Sequence, residues 1–567
     1  MREDDRDAVR GAGLAHVLAV SGLHVSLIAG LMVVAIRRAL PFVSFVATRW
    51  DPARVAAAVG VPLALSYAAF AGGAPSAWRA AVTAAIAWGL VALGRRPSAV
   101  AVALTAGLVL GALAPGEAAR PSFVLSILAT TAVVTTVMPN ERGPRAWLAA
   151  GLAVSARTTV ATAPVVLWCF GTVPLIGVLA NVVLVPIGTL LLVPLAVLHA
   201  LVAACAPPLA VLTGGSFEAA SAAFVAACDA LASLLPALAL PPPTVPQGIA
   251  IGVACAAVLV ARSWRARALV IAGACITLAA TEVAARPAAD APLVLRATFL
   301  DVGQGDAALL DMPDGRLVLV DAGGTRSSFD DPGRRVLVPL LAARRRERVD
   351  VAVLSHPHPD HYGGLAALLE AVPVGEVWDT RQAEAEQPDG PVARLFADAR
   401  RRGARVLGPQ ELCGRPRRFG VASVRVIAPC PHYDPGRDPN DNSFVLRVAM
   451  GRRAILFTGD AEAYQEAHVA ALAGELRTDV LQVGHHGSRT SSTEAFLAAV
   501  RPELAVISAG RGNRYGHPHP EVLRRLKEAE TRVVRLDRAG GTVVETDGES
   551  LVVETWHGTR FAIPSPP

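Results

Sequence analysis

Residues 355 to 361 read Ser-His-Pro-His-Pro-Asp-His, after the apolar run 351–354 and before Gly363 and Gly364. Three imidazoles and a carboxylate packed into six residues form a donor set that holds Zn, Mn or Fe in hydrolytic centres. A strand ending just before them delivers all four side chains into one mouth. His356 and His358, two apart on an extended segment, suit one ion; Asp360 and His361 suit a second. Two more strand ends carry donors of the same kind. The run 455–457 leads into Thr458-Gly459-Asp460, where a carboxylate is placed to bridge two ions. Val483 leads into Gly484-His485-His486-Gly487-Ser488, with His485 the expected last imidazole ligand. Two divalent ions, Zn or Mn, about 4 Å apart acidify a water and stabilise both the attacking and the leaving oxygen, chemistry that suits phosphodiester hydrolysis. Any one of these histidines alone reads as a surface loop residue. The three motifs together, each following a strand, do not.

Further polar residues gather around the same strand ends. Asp301 and Asp306 flank a Gly-rich turn that reads equally as a structural turn or as an approach to the metals. Asn442 and Ser443, and His517 with His519, are placed to hold a phosphate by hydrogen bonds. His486, Ser488 and His517 are the catalytic candidates beside Asp360.

The elements that must carry this site occupy only half of the chain. The 567 residues are 53% hydrophobic and 18% charged, with a mean hydropathy of +0.44, an average over two unlike halves. Apolar segments of about 20 residues, enough to cross a bilayer, recur near 14–36, 54–72, 77–93, 98–114, 121–139, 147–168, 174–204, 217–237, 246–261 and 268–284. The seventh is overlong and broken by Pro186 and Pro194, and the eighth carries Glu218 and Asp229; either reads as re-entrant or interfacial, so about 8–11 spans are expected. Lys and Arg are retained on the cytoplasmic side of short loops. Arg37 and Arg38, Arg95 and Arg96, Arg142 and Arg145, and Arg262 with Arg265 and Arg267 all fall on one side by this count, which puts the C-terminal half outside the cytoplasm. Arg79 and Arg120 lie on the other side or at an interface. The polar, acidic start of the chain does not resemble a cleavable signal peptide. His16, Ser21, His24, Arg79, Arg157 and Asn181 sit within or beside apolar spans, where polar groups face a bundle interior or an aqueous path; helix packing by Ser and Asn is the plainer alternative.

Domains are expected at 1–284 (membrane), 285–292 (an Ala/Pro/Asp linker) and 293–567 (soluble). Beyond the linker the periodicity changes to strands alternating with amphipathic helices. Strands are expected at 294–300, 307–311, 316–320, 349–354, 421–428, 444–449, 453–458, 478–483, 504–508, 532–537, 541–546 and 550–556. Helices are expected at 364–371, 391–402, 461–473, 493–500 and 520–529, giving mixed sheets flanked by helices. The seven cysteines contain no CxxC pair; Cys413 and Cys430 read as buried free thiols unless their domain faces an oxidising compartment. The net charge is +6, and the runs Arg344–Arg346 and Arg400–Arg402 read as solvated helix faces rather than a polyanion site.

The soluble half resembles the metallo-β-lactamase fold, an αββα sandwich with metals at one edge of the paired sheets. Asp301-Val302-Gly303-Gln304-Gly305-Asp306, Asp321-Ala322-Gly323-Gly324, Asn440-Asp441-Asn442-Ser443, Gly484 to Ser488 and Tyr515-Gly516-His517-Pro518-His519 resemble the C-terminal domain of the ComEC family of competence DNA-uptake channels. His16-Val17-Leu18-Ala19-Val20-Ser21-Gly22-Leu23-His24 is similar to that family's HxxxxSGLH signature, so the resemblance spans nearly the whole chain. It implies a polytopic inner-membrane protein that passes single-stranded DNA, an extracytoplasmic domain that hydrolyses the strand not imported, and Asp360 as proton acceptor for the attacking water. It implies DNA, the bilayer, and the DNA-receptor and motor proteins of the competence machinery as partners; without a GxxxxGK(S/T) loop, any ATP-driven motor is a separate protein. The superfamily's further histidine ligand is not evident: between His361 and Asp460 the only histidine is His432, leaving one ion to His432, Asn442 or solvent. Members of the family usually have more N-terminal sequence, so the expectation is a start that is either truncated or misannotated. The competing expectations are a membrane-anchored hydrolase of another phosphodiester or ester without transport, and a transporter whose metal domain only grips DNA.

Overall fold

The computed structural model describes residues 3–18, 22–136, 143–235, 237–286, 294–324, 331–472 and 476–564. The chain forms two compact units, Met1–Val283 and Ala284–Pro567. In the first, a helix lies over each of the apolar segments. Among the described residues, five helices are long and apolar enough to cross a bilayer: Pro52–Phe70, Pro144–Phe170, Gly177–Cys205, Pro207–Leu234 and Trp264–Ala285. Three more, Ala99–Leu113, Pro121–Val134 and Val245–Val260, are apolar but shorter. The proline-broken seventh segment stays one helix, because a π-helical turn at Gly188–Leu192 absorbs the register lost between Pro186 and Pro194. Helices pack here through small side chains: Ala29, Ala64, Ala68, Ala77 and Ala81 form one buried cluster, as expected where close backbone approach rather than hydrophobic burial holds helices together. Large apolar residues such as Leu108, Leu212 and Val260 point outward.

The second unit is a four-layer αββα sandwich. Its strands are β1 Leu295–Phe299, β2 Ala308–Asp311, β3 Leu317–Val320, β4 Val349–Val353, β5 Val374–Trp378, β6 Arg405–Leu407, β7 Arg417–Phe419, β8 Ala422–Ala428, β9 Val445–Met450, β10 Arg453–Phe457, β11 Val480–Gln482, β12 Leu504–Ile507, β13 Arg532–Arg535, β14 Thr542–Thr546, β15 Leu551–Thr555 and β16 Arg560–Ile563. One sheet runs β16-β15-β14-β1-β2-β3-β4-β5-β6 and the other β13-β12-β11-β10-β9-β8-β7. The alternation Leu295, Ala297, Phe299 on β1 and Val424, Val426 on β8 puts these residues in the core between the sheets, where Phe299 and Phe457 stack with centroids 5.8 Å apart. The opposite faces meet helices: Leu309, Leu319 and Ala352 pack on Leu365, Leu368 and Phe396, and Leu456, Leu481 and Ala505 on Phe496, Leu497, Val522 and Leu526.

Two readings of the sequence are corrected. Cys413 and Cys430 form a disulfide rather than free thiols. The first arginine run is not a solvated face, since Arg344 and Arg346 turn onto Asp311, at 2.7 and 2.6 Å; the second, Arg400–Arg402, stays exposed at a helix end as expected, with Arg401 and Arg402 bound to Asp398 at 3.0 and 2.8 Å.

Candidate metal centre

The centre forms at one edge of the sandwich, where β4 of one sheet and the neighbouring β10 and β11 of the other end. After β4, Pro359 opens a short helix, Pro359–Tyr362, at a position where its missing N–H costs nothing; the turn hands His356, His358, Asp360 and His361 to one edge of the sandwich. Two glycines let other loops close on this turn. A Cβ on Gly305 (φ +110) would lie 2.1 Å from the Asp360 carbonyl oxygen, and one on Gly324 (φ +144) 2.2 Å from that of Pro359. After β10, Gly459 (φ +50) lies so close to Ser355 that a Cβ would meet its side chain at 2.8 Å, and the Ser443 hydroxyl accepts from the Asp460 N–H at 3.1 Å. After β11, His485 and His486 both adopt left-handed backbone, φ 48 and 53, a costly conformation for two adjacent non-glycine residues. The kink sends their rings to different sides: His486 is buried, and His485 is a quarter exposed.

Among the described residues three donor groups form, one of Asp306, Asp321 and His361 and two others that share one carboxylate. Asp360, His361, Asp460 and His486 form one of these two, and His356, His358 and Asp460 the other, with the ligand atoms of each group within 4.8 Å of one another. His361 Nε2 is 3.1 Å and His486 Nε2 3.6 Å from Asp460 Oδ1; His356 Nε2 is 3.6 Å from Asp460 Oδ2. His356 Nε2 and His358 Nδ1 are 2.9 Å apart. Behind the donors stands a supporting layer. Asp321 Oδ2 meets His361 Nδ1 at 2.9 Å while its Oδ1 accepts from the Ser355 N–H at 2.7 Å. Asp306 Oδ1 lies 3.5 Å from His486 Nδ1, and the Ser355 hydroxyl contacts Nδ1 of His356 at 3.1 Å.

Charges are distributed accordingly. Burial opposes charge on His361 and His486, yet Asp460, with Asp321 at the first and Asp306 at the second, holds both imidazoles well above their ordinary value. Burial also pushes the Asp460 carboxyl up, but His361, His486 and His356 outweigh it and hold it well below the carboxylate range. Burial likewise pushes Asp360 up, but His486, with Nε2 3.3 Å from its Oδ2, and His361 hold it down. Burial keeps His356 far below the imidazole value, helped by the charge on His361, and brings His517 down to about 4. Carboxylates kept ionised among buried imidazoles mark a place where positive charge is favoured.

Several expected roles shift. His486, not His485, joins the buried donors; His485 instead holds Glu462 Oε1 at 2.8 Å through Nδ1, with Nε2 3.7 Å from Asp460 Oδ2. Asp306 is fully buried behind His486 and is not exposed to contact a substrate. Asn442 is spent on its loop, accepting from the Asp434 N–H at 2.8 Å and donating to the Asp434 carbonyl at 2.9 Å, and buried Ser443 positions Asp460. Ser488 contacts the Thr490 hydroxyl at 2.9 Å. His519 caps the helix Pro520–Glu528, accepting from the Glu521 N–H at 3.2 Å, so its Nδ1 is committed. Asp301 is exposed and accepts from the Gly303 N–H. His517 does face the centre, its ring 5.9 Å from His485. His432 is exposed and belongs to none of the donor groups found among the described residues. Asp321 and Glu462 were missed as site residues; the signal for Asp321 was a carboxylate just after an apolar strand, the placement that also marked Asp460.

In the membrane unit, Ser21 lies outside the described residues. His16 is exposed on the short helix Ala15–Leu18, and His24 lies on the helix Gly22–Ala39. Asn181 donates to the Ser155 hydroxyl at 3.1 Å, joining two helices. The Arg79 and Arg157 Nε atoms are buried without a hydrogen-bond partner.

Comparison with known proteins agrees with this architecture. A family model described as competence protein matches residues 1–267, and one described as metallo-beta-lactamase superfamily matches residues 300–511. Competence protein ComA of Neisseria gonorrhoeae is 31% identical over 94% of this chain and 71% of its own length. The chain belongs to the ComEC family of competence proteins. ComE operon protein 3 of Bacillus subtilis, 27% identical over 94% of this ComEC-family chain and 68% of its own length, and the uncharacterized protein YcaI of Escherichia coli, 26% identical over 99% and 71%, are further relatives. A solved metallo hydrolase from Ignicoccus hospitalis aligns at a TM-score of 0.27 and 15% identity, over 44% of this chain and 98% of its own.

The metallo-β-lactamase domain of this ComEC-family chain has the architecture of metal-dependent hydrolases, which bind divalent cations at this edge, and the residues present fit such an ion. His361 Nε2, Asp460 Oδ1 and both ring nitrogens of His486 are buried without a hydrogen-bond partner, although His361 Nε2 and Asp460 Oδ1 come within 3.1 Å. Buried polar atoms usually find a partner; His361, Asp460 and His486 belong to one donor group, so a bound cation would satisfy one atom of each.

Proposed function

We propose that this chain is a DNA-uptake channel of natural transformation whose metal centre hydrolyses the strand that is not imported. Asp460, common to two donor groups, carries the reading: a shared carboxylate between a three-residue and a four-residue set is the requirement of two ions acting on one phosphodiester. A bound pair, Zn or Mn, would supply Lewis acidity at a phosphoryl oxygen and acidify a water beside it. The chain's own residues do the rest. Asp360, partly exposed with Oδ2 3.3 Å from His486 Nε2, is the proton acceptor at the open side. Asp321 and Asp306 orient His361 and His486. His517, neutral at pH 7, borders the mouth where a phosphate would sit.

The transport half of the reading rests on the competence-family match and on the names of relatives, which include Recombination protein 2 of Haemophilus influenzae, 34% identical over 41% of this chain and 26% of that protein. A phosphodiester backbone carries one charge per nucleotide and needs a polar path through hydrocarbon; the unpartnered Nε atoms of Arg79 and Arg157 are candidates to line it, with His16, Ser21, His24 and Asn181. The Cys413–Cys430 disulfide, which favours an oxidising compartment, and the arginine-rich loops both support an extracytoplasmic hydrolase domain. Receptor and motor proteins would deliver and pull the DNA.

The test is direct. Detergent-solubilised chain should cut DNA with added Mn or Zn, and His358→Ala or Asp460→Ala should lower the rate at least a hundredfold. Cleavage of small esters alone would point to a hydrolase without transport. A deletion strain that still takes up labelled DNA would refute the channel.

A further inference from the structure

Two exposed tyrosines lie on the segments that follow β10 and β12, each with an arginine at its ring. Tyr464, in the first turn of the helix Ala463–Ala470 that follows Asp460, is 49% exposed, and the Arg437 guanidinium carbon lies 3.5 Å from its ring centroid. Tyr515, on the loop after β12, is 55% exposed, with that of Arg514 5.0 Å from its centroid. The sheet order β12-β11-β10-β9 fixes their places. His485 and His486 end β11 in the middle, the Tyr515 loop leaves β12 on one side, and Tyr464 follows β10 on the other.

Both tyrosines sit on fixed supports. The Asn513 side chain spans the Tyr515 turn, donating to the carbonyls of Gly510 and His517 at 2.9 and 2.7 Å and accepting from the His517 N–H at 3.0 Å. Within that turn the rings of Tyr515 and His517 are nearly parallel, 11° apart with centroids at 5.9 Å. Asp441 accepts from the backbone N–H groups of Glu462 and Gln465, both at 3.2 Å, and so caps the helix that carries Tyr464.

A lone exposed aromatic residue is ordinary. Two of them on strand-end segments of a hydrolytic centre, each beside a cation, match a polymer with flat π-faces and regularly spaced anions. Single-stranded nucleic acid offers both, because its bases are free to stack on side chains and its phosphates meet arginine. In a duplex those faces are hidden in the base stack.

We propose that Tyr464 and Tyr515 are stacking platforms that seat single-stranded nucleic acid across the metal centre, with Arg437 and Arg514 meeting the adjacent phosphates. The proposal rests on the reading of the centre as a phosphodiesterase and names the form of its substrate.

The experiment uses the detergent-solubilised full chain and three substrates: a single-stranded thymidine oligonucleotide carrying 2-aminopurine, its duplex, and bis(4-nitrophenyl) phosphate. Expected are preferential cleavage of the single strand, fluorescence quenching on binding, and, in Tyr464→Ala and Tyr515→Ala, about a tenfold lower ratio of single-strand to small-diester kcat/KM, carried by KM. Tyr464→Phe and Tyr515→Phe should retain the ratio. An unchanged ratio in the alanine variants, or equal cleavage of duplex, overturns the proposal. Quenching that the alanine variants lose, in a chain that cuts no DNA, upholds the platforms while refuting the nuclease. A chain that cleaves the small diester but neither binds nor cuts the oligonucleotide refutes both.

Discussion

His361 Nδ1 lies 2.9 Å from Asp321 Oδ2, and this contact turns Nε2 of the same ring toward Asp460. A carboxylate behind a ligating imidazole fixes its orientation and raises its basicity, and removing such a partner typically costs 10–100-fold in metal affinity. Asp321→Ala should therefore weaken divalent-ion binding by about that factor, measured by titration calorimetry on the solubilised chain. Unchanged affinity would mean that the Ser355 hydroxyl, 3.2 Å from the same Nδ1, alone orients the ring.

Adjacent histidines should behave differently. His486→Ala removes a buried donor and should lower bound metal per chain by elemental analysis, whereas His485→Ala, which breaks the contact with Glu462, should leave the metal content near that of the parent. The reverse result would restore His485 as the ligand.

Gly305 allows the first hairpin loop to touch the Asp360 backbone. Gly305→Ala adds both a close contact and strain at positive φ, and should lower the unfolding midpoint of the hydrolase unit by roughly 5 °C or more. Scanning calorimetry reads this without reference to activity.

The Cys413–Cys430 disulfide closes a loop with a sequence separation of 17, for which chain entropy gives about 3 kcal/mol of stabilisation. Cys413→Ser with Cys430→Ser should lower the same midpoint, and the double variant should no longer respond to reductant. A parent chain whose midpoint ignores reductant would show the pair unbonded in solution.

Glu466 gives a pH signature. Burial, against hydrogen bonds from the Ser492 and Thr493 N–H groups, pushes its carboxyl up to about 7, so between pH 4.5 and 7 the folded state binds more protons than the unfolded one. Stability contributed by this group is complete below the unfolded value and declines as pH rises toward 7. Relative to the parent, Glu466→Gln should gain on the order of 3 kcal/mol across that window; a pH-independent difference between the two would rule out the shift.

The donor motifs were legible because each follows a strongly apolar strand, and such strand ends collect at one edge of a sandwich. His485 against His486 was not, since two neighbouring left-handed residues decide which ring turns inward, and no propensity announces that conformation. Asn442 and His519 looked like phosphate ligands by type, yet a short polar side chain in a loop commonly binds nearby backbone, as both do. β5, β6, β7 and β16 escaped notice because they are short or interrupted by charge: Glu376 within β5, Arg405 opening β6, Arg417 and Arg418 in β7, and Arg560 opening β16. Glu376 and Arg405, at 3.4 Å, neutralise one another across neighbouring strands. The π turn between Pro186 and Pro194 was equally hidden, since proline signals a break but not its repair.

The donors of the centre come from both sheets: His356, His358, Asp360 and His361 follow β4, while Asp460 and His486 follow β10 and β11. Any cation held there joins the two halves of the sandwich, as a rivet joins two plates. Because such an ion binds only the assembled fold, its affinity adds to the folding free energy in proportion to the logarithm of its concentration. Metal supply would thus govern the lifetime of the hydrolase unit as well as its turnover, and chelation would loosen one sheet from the other.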